Sequence, residues 1–228
     1  MQQRLPVLSL LHTSPTHVPL FERLAAEAVA KGGPEVRLSH LVREDLLARA
    51  IEAGRLPEDT HMRAVRILHE ATASSDVVLC TCSTLGPAAD EAAARANKPV
   101  LRVDRPMARE AVATGSAIAV LATLVCTLEP TRRLVEAEAR AAGAVCDVAP
   151  VLVEGAWAAM QAGDTARYME LVAVHARLAQ EAGAEVLLLA QVSMADALSD
   201  VDITASVLAS PQSGLAASLA VLCATEAP

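Results

Sequence analysis

The chain has 228 residues, 53% of them hydrophobic, enough to bury the core of one large α/β domain or two small ones. Its net charge is −8 and no Lys/Arg block occurs, which argues against a surface built to neutralise nucleic-acid phosphates. Aromatic residues are only 1% (Phe21, Trp157 and Tyr168), too few for the stacking platforms of single-strand binders.

The apolar pattern alternates strand and helix. A first strand is expected over 5–11 and an amphipathic helix over 15–31, stopped by Gly32, Gly33 and Pro34. A short strand over 35–39 precedes helices over 43–53 and 57–74, parted by Gly54. Residues 77–80 are an apolar run that reads as a buried parallel strand, with a helix to follow over 87–97 and a strand over 99–103. A second set then begins: helix 105–114, strand 117–122, helix 129–142, strand 144–148, helices 156–161 and 164–181, and strand 185–190. A short helix near Met194, a strand over 206–208 and a helix over 212–223 complete the chain.

Such alternation is the signature of βαβ units and parallel sheets. The two halves also resemble each other. Each has a first strand ending in hydroxyl residues, at Thr13-Ser14 and at Thr123 to Thr127. Each has a later apolar strand ending in a polar loop, at Thr81 to Thr84 and at Gln191 to Ser193. The expected fold is α/β: two similar parallel-sheet lobes related by a pseudo-two-fold, with the active-site cleft between them. The first lobe takes 1–98 with 206–228 and carries the Cys82 loop. The second takes 99–205 and carries the Thr123 and Gln191 loops.

The cysteines are Cys80, Cys82, Cys126, Cys146 and Cys223, an odd number that suits free thiols in a reducing cytoplasm. No signal peptide or bilayer-long apolar run is read, so no membrane partner is expected. Cys80 and Cys82 have no second Cys or His pair at zinc spacing, so no metal is expected. Cys82 follows a strand end, where ligand crevices of α/β sheets lie, and precedes a helix N-terminus, where N–H groups favour a thiolate. It is the candidate catalytic group. Cys80 reads as core, as do Cys146 and Cys223, while Cys126 is placed to line the cleft. His12 at a strand end either activates a thiol or binds an anion, or is a loop histidine bonded to backbone. Thr13, Ser14, Ser83, Thr84, Thr123, Gln191 and Ser193 are candidate substrate-binding residues; hydroxyls there also cap helices, and a capped helix start is an anion site.

Cys82-Ser83-Thr84 after Asp76-Val-Val-Leu resembles the first catalytic cysteine motif of the aspartate/glutamate/hydantoin racemase superfamily, Cys-Asn-Thr in glutamate racemases. Thr13-Ser14 resembles its first-strand substrate loop, and Thr123 falls where the second lobe supplies a hydroxyl. The resemblance covers essentially the whole chain. It implies a cofactor-independent enzyme, often dimeric, that moves a proton at the carbon next to a carboxylate of an amino acid, hydantoin or related small acid. Two departures matter. The second catalytic cysteine is absent, because Gln191-Val192-Ser193 follows the last strand of the second lobe, and Thr13 stands where glutamate racemases have aspartate. A single cysteine supports chemistry on one face only, since neither Gln nor Ser is a base near neutral pH. Decarboxylation of a disubstituted malonate, with Cys82 as the one proton donor, is therefore an alternative to racemisation. A non-catalytic small-acid binding protein on the same scaffold is another.

Overall fold

The computed structural model describes residues 4–226. They form two compact units, one running to Val103 and resuming at Pro211, the other Asp104–Ser210.

The first unit alternates β1 (Val7–His12), α1 (His17–Ala30), β2 (Arg37–Val42), α2 (Glu44–Ala53), α3 (Glu58–Ala71), β3 (Val77–Cys80), α4 (Gly86–Arg95) and β4 (Val100–Arg102). The strands form one parallel sheet in the order β2-β1-β3-β4. Central strands β1 and β3 are wholly buried, as expected of parallel strands covered on both faces. Leu11, Val78, Cys80 and Cys82 pack on one face against Leu46, Val65, Leu68 and Ala89 of α2, α3 and α4.

The second unit continues with α5 (Arg105–Thr114), β5 (Ala117–Ala122), α6 (Val125–Ala142), β6 (Asp147–Leu152), α7 (Ala156–Gln161), α8 (Thr165–Glu181), β7 (Val186–Leu189) and β8 (Ser206–Ala209). Its parallel sheet has the order β6-β5-β7-β8, the same topology as the first. Strand periodicity divides its core in two. Leu121, Leu187 and Leu189 meet α7 and α8 on one face. Ile118, Val120, Ala122, Val186 and Leu188 meet α5 and α6 on the other. The chain then enters α9 (Ser210–Glu226), where Gly214 abuts Val103 so closely that a Cβ would lie 2.6 Å from the Val103 carbonyl oxygen.

The repeat extends to single hydrogen bonds. Asp76, just before β3, accepts the Val7 N–H that opens β1, at 2.8 Å. Glu185, just before β7, accepts from Ser116 at 2.7 Å and from Ala117, which opens β5, at 3.3 Å.

Several expectations move. The unit boundaries fall after Val103 and Ser210 rather than at 98 and 205, because β4 pairs with β3 and β8 pairs with β7. Helix α6 begins four residues before the expected start at 129, with Pro130 inside it. Residues 125–127 are thus its first turn and not a loop. Strand β6 covers 147–152 rather than 144–148; Pro150 lacks an N–H but is tolerated because β6 is an edge strand. Cys223 is exposed rather than core, since α9 turns Leu215, Leu219 and Leu222 inward.

Candidate active site

The chain leaves β3 at Cys80, and Cys82 starts a 3-10 turn, Ser83–Leu85, that runs directly into α4. The thiol is buried at 8% exposure. The Thr13 and Thr84 hydroxyls and the backbone N–H groups of Leu85 and Thr84 favour the charged form of the sulfur, the Leu85 N–H also donating to the Cys82 carbonyl at 3.0 Å. Thr13 is in place because it follows β1, whose Leu11 is in register with Cys80. Burial nevertheless outweighs these donors and pushes the Cys82 thiol above its usual range. The expectation of a thiolate favoured by the helix start is not met: burial outweighs the helix-start donors and favours the thiol form of Cys82. All five cysteines are thiols rather than disulfides.

Ser83 is 5% exposed and its Oγ has no hydrogen-bond partner. Thr84 is buried beside it. Ser14 instead bonds Thr16 Oγ1 at 2.8 Å in the turn before α1, a local structural role. His12 is also held away from ligand duty. Its Nδ1 lies 2.8 Å from Thr81 Oγ1 and its Nε2 2.8 Å from His40 Nδ1, while His40 Nε2 reaches Glu22 at 3.0 Å. Burial, then the nearby His17 and His40, lowers His12 to about 3; burial alone lowers His17 to about 4. His12 is a neutral positioning residue for Thr81, between the two cysteines. Sequence reading missed Thr81 and His40, whose partners lie far along the chain.

Arg102 is buried and pairs with Asp90 at 2.8 Å. Its guanidinium lies against Gly86 at the start of α4, where an added Cβ would overlap it. Asp104 is buried as well, and Arg105 pairs with Glu138.

In the second unit, Thr123 follows β5 and Gln191 follows β7. Gln191 Oε1 accepts from Thr123 N–H at 2.5 Å and from Thr123 Oγ1 at 2.9 Å. Ser193 Oγ lies 3.2 Å from the Tyr168 hydroxyl, whose pKa burial pushes up to about 12. Cys126 is buried in the first turn of α6. Among the described residues, no group of three or more His, Cys, Asp or Glu could hold a metal ion, and no helix is long and apolar enough to cross a membrane.

These features define a two-unit, parallel-sheet α/β protein with polar strand-end loops. A family model described as Asp/Glu/Hydantoin racemase matches residues 11–217, and the chain belongs to that family. Its fold is similar to that of solved racemases. Aspartate racemase from Picrophilus torridus aligns at 14% identity over 96% of this chain and 94% of its own, with a TM-score of 0.71. Glutamate racemase from Bacillus anthracis aligns at 15% identity over 97% and 83%, with a TM-score of 0.66. Allantoin racemase from Pseudomonas fluorescens aligns at 17% identity over 96% and 92%, with a TM-score of 0.62. No curated protein sequence matches the chain.

Proposed function

We propose that this protein is a cofactor-independent enzyme of racemase type that moves a proton at the carbon beside a carboxylate, with Cys82 as the acid–base group. The supporting observation is the place of Cys82, buried at the start of the turn that leads from β3 into α4, where two threonine hydroxyls and two backbone N–H groups favour its charged form. Such donors stabilise a thiolate when it forms, and Cys82 lies at a strand end, where α/β sheets bind ligands. In exchange, the Cys82 thiol first gives up its proton to solvent. The thiolate Sγ then takes the substrate hydrogen as a proton while the C–H electron pair moves into the carboxylate as an enediolate. The thiol so formed returns a proton to the carbon. Thr13, Ser83 and Thr84 are proposed to bind the small acid beside Cys82; Thr123 and Ser193 are proposed as the substrate-binding residues of the second unit. The five thiols support a reducing, cytoplasmic setting, and the proposed assembly is a homodimer.

A second reading is favoured by Gln191, which does not titrate and follows β7, where the family resemblance would put a second cysteine. In that reading a disubstituted malonate loses CO2, the C–C electron pair stays on carbon, and the Cys82 thiol donates its proton to it. The resting thiol form of Cys82 suits this step.

Proton NMR in heavy water, with Cys82→Ser as control, tests both. The panel holds aspartate, glutamate, allantoin, hydantoins, maleate and aryl-substituted malonates. Exchange or inversion that depends on Cys82 supports the first reading, and CO2 release with deuterium incorporation supports the second. Binding without any Cys82-dependent change sinks both and leaves a binding protein.

A further inference from the structure

Gln191 holds in the second unit the place that Cys82 holds in the first. Leu11 is in register with Cys80, and Leu121 with Leu189. Cys82 and Gln191 each follow by two residues, with extended backbone, and each starts a three-residue 3-10 turn. The threonine two residues beyond Leu11 or Leu121 serves each of them: the Thr13 hydroxyl favours the charged form of Cys82, and Thr123 donates to Gln191.

The Thr123 contacts settle which way the Gln191 amide faces. A backbone N–H can only donate, so the atom 2.5 Å from Thr123 N is the amide oxygen. The Thr123 hydroxyl donates to the same oxygen at 2.9 Å. Both oxygen lone pairs are thereby used, and the amide is held in one orientation. Its Nε2, with two N–H groups, has no protein partner among the described residues, and Gln191 is only partly buried.

We propose that Gln191 is a ligand-orienting residue: a locked donor whose Nε2 holds an oxygen acceptor of a small acid, a carboxylate or carbonyl oxygen, and disfavours an ammonium at that point. The inference rests on the reading that the protein handles a small carboxylate. A fixed donor loses little freedom on binding, and a site built to donate discriminates strongly against a group that cannot accept.

Gln191→Glu is the informative variant, because a carboxylate still accepts both Thr123 donors while the N–H pair is gone. A structural tie alone is preserved by this change. Binding of malonate, and of hydantoin as an uncharged probe free of charge repulsion, is measured by NMR titration of the 15N-labelled protein. The side-chain NH2 pair that vanishes in Gln191→Leu identifies Gln191. That pair is expected to shift with either probe and not with methylammonium. Gln191→Glu is expected to weaken both probes at least about tenfold with an unchanged melting temperature. Unchanged affinity in both variants overturns the inference and leaves the Cys82 reading standing. A wild-type protein that binds neither probe overturns the inference, and the Cys82 exchange panel then decides the carboxylate reading separately.

Discussion

His12 Nε2 and His40 Nδ1 face each other at 2.8 Å, with the rings stacked at a 5.1 Å centroid separation and 22° between planes. One nitrogen must donate and the other accept, so the two rings cannot both be fully protonated. His17 adds a third imidazole edge-on to His12 at 5.9 Å, and its Nδ1 is buried without a partner.

Acid should therefore unfold this protein early. The folded pKa values of His12 and His17, about 3 and about 4, lie below the ordinary 6.5. Between those limits the unfolded chain binds more protons, so stability falls as pH drops below 6.5 and is intact above it. Two such groups give a slope of up to ~2.7 kcal/mol per pH unit near pH 5. His17→Phe keeps a ring and removes one titrating site. Urea unfolding across pH 4–7 is expected to show its slope reduced by up to one proton, about 1.4 kcal/mol per unit. An unchanged slope would contradict the assignment of a neutral, buried His17.

The Thr13 hydroxyl is one of the donors that oppose burial at Cys82. Thr13→Val keeps the shape and removes the donor. Its iodoacetamide reaction at Cys82 is expected to slow about tenfold at pH 8, because a hydrogen bond to a charged group is worth roughly 1.5–3 kcal/mol. Ser83→Ala, which removes an oxygen without a partner, serves as control and should leave the rate unchanged. Equal rates in all three proteins would remove Thr13 from the thiolate's support.

Gly86 has ordinary helical backbone, so alanine there should by propensity stabilise α4 by up to about 1 kcal/mol. The buried Arg102 guanidinium reverses the sign, because the new methyl group must displace it from Asp90. Gly86→Ala is expected to destabilise by about 1–3 kcal/mol in chemical unfolding. A stabilised variant would show that Arg102 can move at no penalty.

Asp164 accepts the Arg167 N–H at 2.9 Å and caps α8, the helix that places Tyr168 beside Ser193. Asp164→Ala should cost about 1 kcal/mol, read as a lower melting temperature. Asp164→Asn should retain most of that. Equal losses in both variants would point to charge rather than the capping bond.

Strands β3 and β5 and helices α5 and α7 are legible to the residue, because each is an apolar or helix-forming run closed by Gly, Pro or polar residues. Strand β6 and the start of α6 are not, and for one reason: proline. Pro150 breaks a strand pattern that only an edge position permits, and Pro130 imitates a helix start from inside one. The similarity of the loops at Cys82 and Gln191 is visible in the sequence, but the threonine each shares is fixed only by strand register. The role of His12 is invisible locally, since Thr81 and His40 stand 69 and 28 residues away. The direction of the Cys82 shift is a balance of burial against donors, and spacing carries no information on burial.

The discontinuity of the first unit has a consequence during synthesis. Residues 104–210 are contiguous and carry a complete four-stranded sheet, so that unit can close as soon as β8 leaves the ribosome. The first unit begins earlier yet finishes later, because Gly214 of α9 must still seat against Val103. The half holding Cys82 is thus the last to be sealed, and an order of appearance on the ribosome becomes the reverse of an order of completion.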